Sequence, residues 1–275
     1  MKKKKFVFFI LLTMTFWLFQ GLLKAAEPRG KILDMTYAFG DDSIYWPTGK
    51  FFKSTKVSWG INDQGWWYAS NDYEANEHGG THADASIHFA QNGRTIDQVP
   101  LEEWIAPAVK IDVTQQCAKN RDYLLRVEDI ENFEKKYGKI PARAWVIMFT
   151  GIGTQYYPNK QKVLGTEMTG KEAVDYLSFP GFSAESVTYL LKERDITGIA
   201  IDTPSIDYGK SKDFPVHRLL CGANKLAVEN IANLGKLPPV GAVLYAIPMQ
   251  IKNGTGSPAR IFAVCPPLGP GGYHE

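Results

Sequence analysis

Three of the chain's five histidines fall within the thirteen residues from Glu77 to Phe89, E-H-G-G-T-H-A-D-A-S-I-H-F, and a fold for this chain has to account for them first. From His82 onward, polar residues (His82, Asp84, Ser86, His88) alternate with apolar ones (Ala83, Ala85, Ile87, Phe89), the period-two signature of a half-buried strand. On such a strand His82 and Asp84 leave one face roughly 6.6 Å apart, close enough for an imidazole and a carboxylate to converge on one cation. His78 would stand about 13 Å from His82 on an extended chain, so Gly79 and Gly80 are expected to fold it back. His88 would lie about 20 Å along a straight strand, and is expected to reach the site from the reaction side as a proton carrier. One strand histidine is ordinarily a hydrogen-bonded core or surface residue. Three of them in company with an aspartate point to metal binding or catalysis.

The rest of the chain supplies a core. Its 275 residues are 44% hydrophobic and 13% aromatic, which suits a packed globular protein and excludes a disordered one. Residues 1–26 stand apart: Lys2 to Lys5 form a basic start, Phe6 to Leu23 an apolar run, and Ala25-Ala26 a small-residue exit. They predict a secretory signal, or an uncleaved anchor given the length of the run, and hence an exported protein that touches membrane only if this segment stays. Removing it takes away five lysines and no acid, so the formal charge passes from +2 to −3. That argues against a nucleic-acid surface on the mature domain. Cys117, Cys221 and Cys265 have neither C-x-x-C nor zinc-finger spacing, and read as buried small residues rather than a disulfide framework.

Strands are predicted over Lys31–Ala38, Ala108–Val113, Ala144–Phe149, Gly198–Asp202, Val243–Met249 and Ala259–Val264. Helices are predicted over Val127–Tyr137, ended by Gly138, and after a Ser183 cap with Val187, Leu190 and Leu191 on one face. Leu226–Glu229 reads as a short strand or a helix start, and Tyr156–Thr169 as a loop or insertion. Helix followed by strand is the grammar of an α/β domain. With no repeat or linker after the signal, residues 27–275 are expected to form one catalytic domain. Tyr45-Trp46-Pro47 sits in a loop, where a tryptophan beside a proline can wall an aromatic pocket.

The pattern H-x-G-T-H-x-D at 78–84, with His88 closing the block, resembles the signature of the cyclase family of metal-dependent hydrolases, which includes bacterial kynurenine formamidases and the related isatin hydrolases. Trp46-Pro47, I-D-Q-V-P-L at 96–101, I-D-T-P-S-I-D at 201–207, His217, Glu229 in V-E-N, and G-S-P-A-R at 256–260 follow in the family's order. The resemblance implies that His78, His82 and Asp84 bind one divalent ion, and that Asp84 and Glu229 bridge to a second, which His217 also binds. The ions would be Zn²⁺ or Mn²⁺. It further implies His88 as proton donor and acceptor, Trp46 as a substrate-contacting wall, a swivelling β/β/α fold with a mixed sheet and flanking helices, and assembly as homodimers or larger oligomers.

A divalent ion in an imidazole and carboxylate shell lowers the pKa of bound water toward neutrality. The expected reaction is therefore hydrolysis of an aromatic amide, first of all an arylformamidase step taking N-formylkynurenine to kynurenine and formate in tryptophan catabolism. The alternative is opening of a cyclic amide or lactone, as with isatin. A non-catalytic exported metal-binding protein is the rival from another class, but metal storage has no need of His88. A cysteine or serine nucleophile is weaker still, since no G-x-S-x-G elbow is present.

Overall fold

The computed structural model describes residues 30–267; the expected signal at 1–26 and the last histidine, His274, lie outside the described residues. In chain order the first half contains β1 (Lys31–Asp34), β2 (Lys53–Ile61), β3 (Trp67–Glu74), β4 (His82–Asp84), β5 (Ile105–Asp112), α1 (Thr114–Lys119), β6 (Leu124–Leu125) and α2 (Val127–Tyr137). The second half contains β7 (Trp145–Phe149), α3 (Ile152–Tyr156), α4 (Lys160–Leu164), β8 (Gly181–Phe182), α5 (Ala184–Glu193), β9 (Gly198–Ile201), α6 (Pro215–Gly222), β10 (Leu226–Glu229), β11 (Ala242–Pro248) and β12 (Gly256–Cys265).

Strands β5, β7, β9 and β10 run parallel, while β4, β11 and β12 pair antiparallel with their neighbours. Because β12 pairs with both β11 and β4, seven strands close into a ring, and β1 is added at β12. Residues 32–265 form one compact unit.

Alternation along these strands sorts two cores. Ala106 and Ala108 of β5, Trp145 and Ile147 of β7, and Leu226 and Val228 of β10 turn to one side, where Ala83, Leu244 and Ile261 from the rest of the ring meet them. Val109, Ile111, Val146, Met148, Ile199 and Ala227 turn the other way, against Ile130, Phe133, Val187, Leu190, Val216 and Leu220 of the helices. Each large apolar side chain buried in this way stabilises by roughly 1.5–3 kcal/mol before entropy is counted. Cys117 and Cys221 are buried and Cys265 is half-buried, as small residues would be.

Helix α2 runs as predicted and stops where Gly138 takes φ +93°. In α5 the Ser183 side chain accepts the Ser186 N–H at 3.0 Å, the expected cap, although Leu191 is only partly buried. Leu226–Glu229 is a strand.

Four expectations change. The first strand ends at Asp34 rather than Ala38. Tyr156–Thr169 is no mere loop, since α4 buries Val163 and Leu164 against Ile44 and Phe179, with Asn159 accepting the Lys162 N–H at its start. The long hairpin β2–β3 carries no strand prediction at all. Most consequentially, the strand read over His82–Phe89 stops at Asp84 and gives way to a 3₁₀ turn at Ser86–His88. There the buried Ser86 hydroxyl accepts the Arg94 N–H at 2.8 Å, and Ile87 N–H bonds Arg94 O, so the chain folds on itself instead of extending the ladder. Among the described residues no helix is long and apolar enough to cross a membrane.

Candidate active site

Register places the first residues of the site. β4 lies antiparallel to β10 with Glu229 opposite His82 and Ala227 opposite Asp84. Since Ala83 enters the ring core, His82 and Asp84 emerge on the other face, the one covered by α6. Helix α6 buries Val216 and Leu220 on one row and His217 and Cys221 on the next, both at i, i+4 spacing. Its first turn is fixed by Asp207, whose carboxylate accepts Val216 N–H and His217 N–H, each at 3.0 Å, and His217 Nδ1–H at 2.7 Å.

His78 returns as the glycines require: Gly80 takes φ +57°, and the His78 ring comes to 5.6 Å from that of His82, edge to face. Gly256 admits that ring, because a Cβ there would stand 2.3 Å from His78 Cε1.

The five side chains form two clusters around shared carboxylates. Asp84 Oδ1 is 2.8 Å from His78 Nδ1 and 3.4 Å from His82 Nε2, while Asp84 Oδ2 is 3.6 Å from His217 Nε2. Glu229 Oε2 is 3.3 Å from His82 Nε2 and Glu229 Oε1 is 3.2 Å from His217 Nε2. Asp84 Oδ2 is buried and has no hydrogen-bond partner.

The outer nitrogen of each ring already has an acceptor. His82 Nδ1 donates to Gly80 O at 3.0 Å, and His217 Nδ1 donates to Asp207. For His78 the partner is the Thr255 hydroxyl, 2.9 Å from Nε2; that hydroxyl spends its own proton on Glu77 Oε2 at 2.7 Å, so it accepts from His78 Nε2–H. The inward nitrogens of the neutral rings are therefore lone pairs aimed at carboxylate oxygens. Such a contact is repulsive unless a positive charge stands between, and outer partners that fix the inward nitrogen in this way are characteristic of metal ligands. The donor set fits a divalent cation.

Without an ion, protons take the part of the cation. Burial opposes charge on His82, but Asp84 and Glu229 outweigh it and push its pKa up to about 10. Burial likewise opposes charge on His217, yet the bond to Asp207 and the nearby carboxylates of Asp84 and Glu229 raise it well above the ordinary histidine value. Burial favours the neutral acid at Asp84, but His82 and His78 hold it well below the carboxylate range.

His88 behaves oppositely. Burial, with His78 and His217 adding repulsion against the pull of Asp84, drives its pKa down to about 4. The 3₁₀ turn brings its ring onto the His78 ring at 3.7 Å rather than away along a strand, and puts a ring nitrogen within 4.8 Å of donor atoms of Asp84 and His217. A neutral, half-buried imidazole thus stands beside the cluster.

Over the cluster opens a cavity of about 260 Å³ whose apolar wall is Ile44, Trp46, Phe89 and Phe214. Trp46 and Phe214 meet edge to face at 5.7 Å, and Phe214 holds the left-handed backbone conformation (φ +48°) that bulky residues avoid. His78, His82, Asp84, His88, His217, Glu229 and Trp46 therefore gather here. Glu77, Asp207, Phe214 and Thr255 join the site with no role expected of them from the sequence. Glu77 adjoins His78 and could have been suspected, but nothing local marks Thr255, 177 residues from its partner.

The family model Cyclase, described as "Putative cyclase", matches residues 33–208. The chain is 33% identical to isatin hydrolase of Roseibium aggregatum over 214 residues, 74% of this chain and 78% of that one. It is 25% identical to kynurenine formamidase of Bacillus cereus over 228 residues, 83% of this chain and 94% of that one. Among solved structures, isatin hydrolase A from Labrenzia aggregata bound to benzyl benzoate superposes with a TM-score of 0.78 at 32% identity, covering 90% of this chain and 98% of that one. With a site of this composition on a fold of this kind, the chain belongs to the cyclase family of metal-dependent hydrolases.

Proposed function

We propose that this chain opens a cyclic aromatic amide of the isatin type by hydrolysis of its C–N bond. The observation that carries the reading is the aromatic-walled cavity, lined by Trp46 and Phe214 together with residues of the imidazole–carboxylate cluster, which suits a flat bicyclic substrate. The greater identity to isatin hydrolase than to kynurenine formamidase supports it over arylformamidase action, which stands second.

In this reading His78, His82, Asp84, His217 and Glu229 hold the metal. Asp84 and Glu229 each turn one oxygen to either cluster, an arrangement that supports two ions. Divalent metal bound there polarises the substrate carbonyl and acidifies water. His88, neutral at pH 7, accepts a proton from the attacking water at a ring nitrogen and returns it to the leaving nitrogen. The C–N bond breaks as a C–O bond forms, leaving a carboxylate and an arylamine on one molecule. Trp46 and Phe214 orient the ring and exclude bulk water.

The purified chain, loaded in turn with Zn²⁺ and Mn²⁺, should be assayed against isatin, N-formylkynurenine, a formylated aniline and a simple lactone. A kcat/KM for isatin at least about tenfold above that for the formamides is expected. Preference for a formamide overturns the reading in favour of the second one, and tight metal binding with no turnover of any would leave a metal-binding protein.

A further inference from the structure

A second cavity, of about 430 Å³, opens where the C-terminal ends of β5 and β7 meet α1 and α3, and it shares no residue with the one over the imidazole–carboxylate cluster. Its size is that of a small-molecule site. Cys117, Phe149 and Ile152 form a buried apolar floor, and Arg121 is the one charged side chain on the described wall. Half of that guanidinium is committed: Nη2 donates to the Lys162 and Val163 carbonyls of α4, at 2.7 and 3.1 Å. Among the described residues Nε and Nη1 have no partner, and no carboxylate pairs with Arg121. The adjoining acid, Asp122, pairs with Lys210 and accepts the Ser178 hydroxyl instead. A half-buried guanidinium beside an apolar floor is left short of an anion.

One buried segment ties this cavity to the cluster. Thr150 donates to Asp202 Oδ1 through its N–H at 2.9 Å and its hydroxyl at 2.7 Å, and Gly151 and Thr154 donate N–H to Oδ2 at 3.1 and 3.3 Å. Gly153 of α3 lies so close that a Cβ there would stand 1.7 Å from Asp202 O. Residues 202–207 are buried throughout, and Pro204 and Ser205 line the cavity over the cluster. Beyond them Ile206 N–H donates to Glu229 Oε1 at 2.9 Å, and Asp207 holds His217. A shift of α3 is therefore passed through Asp202 to Glu229 and His217.

We propose that this cavity is a second ligand site, taking a small carboxylate with a flat apolar body, and that its occupation changes the metal affinity of the cluster. The carboxylate pairs with the free edge of Arg121, and the body covers Phe149, Ile152 and Cys117. A single guanidinium over an apolar floor suits a carboxylate better than a phosphate, which calls for more donors than this wall offers. Binding here does not depend on which substrate is opened. The coupling rests on the cluster holding metal, as proposed above.

The test is calorimetric titration of benzoate, with benzamide as its uncharged counterpart, into the purified chain with and without Zn²⁺. Saturable binding with a Kd of about 1 mM or tighter is expected in both forms. It should be at least about tenfold weaker for benzamide, for Arg121→Gln, and for Ala118→Trp, which fills the mouth and leaves Arg121 in place. Competition for Zn²⁺ with a chromophoric chelator should show metal affinity changed at least about fivefold by saturating benzoate, and unchanged in both variants. The site is overturned by no saturable binding up to about 10 mM, or by inorganic phosphate binding more tightly than benzoate. Equal binding to parent and Arg121→Gln also overturns it, since benzoate would then sit elsewhere, the substrate cavity included. The coupling is overturned by a metal affinity that benzoate leaves unchanged, or shifts as much in the variants. If Arg121→Gln fails to fold, Ala118→Trp decides. If the chain binds no Zn²⁺, the metal reading and the coupling fall together, while the benzoate titration still decides the site.

Discussion

Thr255 lies outside the imidazole–carboxylate cluster, yet under the proposed function metal affinity depends on its hydroxyl. In Thr255→Val the shape and the β-branched backbone preference are kept, and one oxygen is lost. Glu77 still accepts Thr255 N–H at 2.9 Å, so the segment stays anchored. What changes is His78: its half-buried Nε2–H has no acceptor, which costs about 1–3 kcal/mol, and the tautomer with a lone pair at Nδ1 loses its lock. Removing an outer partner of this kind usually weakens metal binding about 10- to 100-fold, or roughly 1.4–2.8 kcal/mol, in line with that penalty. The assay is competition for Zn²⁺ between a chromophoric chelator and metal-free protein, with a thermal melt in EDTA to show that the variant is folded. Thr255→Ser, which keeps the oxygen, should bind like the parent. Affinity of Thr255→Val within about twofold of the parent, or a Thr255→Ser variant as weak as Thr255→Val, would refute the reasoning.

For His88→Ala, kcat should fall by about 10²–10⁴ with metal content by elemental analysis unchanged; loss of the metal instead would make His88 a ligand. The metal-free protein should lose stability as pH rises. His82 has a folded pKa near 10 against about 6.5 unfolded, so its contribution is complete below pH 6.5 and gone above pH 10. A melting temperature in EDTA that drops by roughly 5 °C or more across that window, and changes less with metal bound, is expected; a flat profile in EDTA contradicts the charge assignment. Gly256→Ala sets a methyl 2.3 Å from His78 Cε1 and should cost metal affinity while Gly60→Ala, with nothing within 4 Å, costs none; equal affinities in the two would remove Gly256 from the argument. Trp46→Ala gives up an edge-to-face contact of about 0.5–1.5 kcal/mol and should raise KM for an aromatic substrate about 2- to 10-fold with little change in kcat.

Local pattern determined a good deal of this protein. Alternation from His82 to Asp84 put an imidazole and a carboxylate on one face, because side-chain direction on a strand depends only on parity. The glycine pair announced a bend, Gly138 and Ser183 marked helix ends, and apolar runs marked the parallel strands, since each signal is chemistry acting over a few residues. Only the family resemblance marks His217 and Glu229, as nothing in the residues around them points to a partner more than a hundred positions away. The turn at Ser86–His88 reads as strand in the sequence and is undone by Arg94, which offers backbone partners that the ladder could not supply. Likewise the Glu77–Thr255–His78 chain and the Asp207 cap exist only once β12 and α6 are laid beside β4. Parity and punctuation are local and legible; which carboxylate meets which ring, and so where positive charge must sit, is decided by register between distant strands.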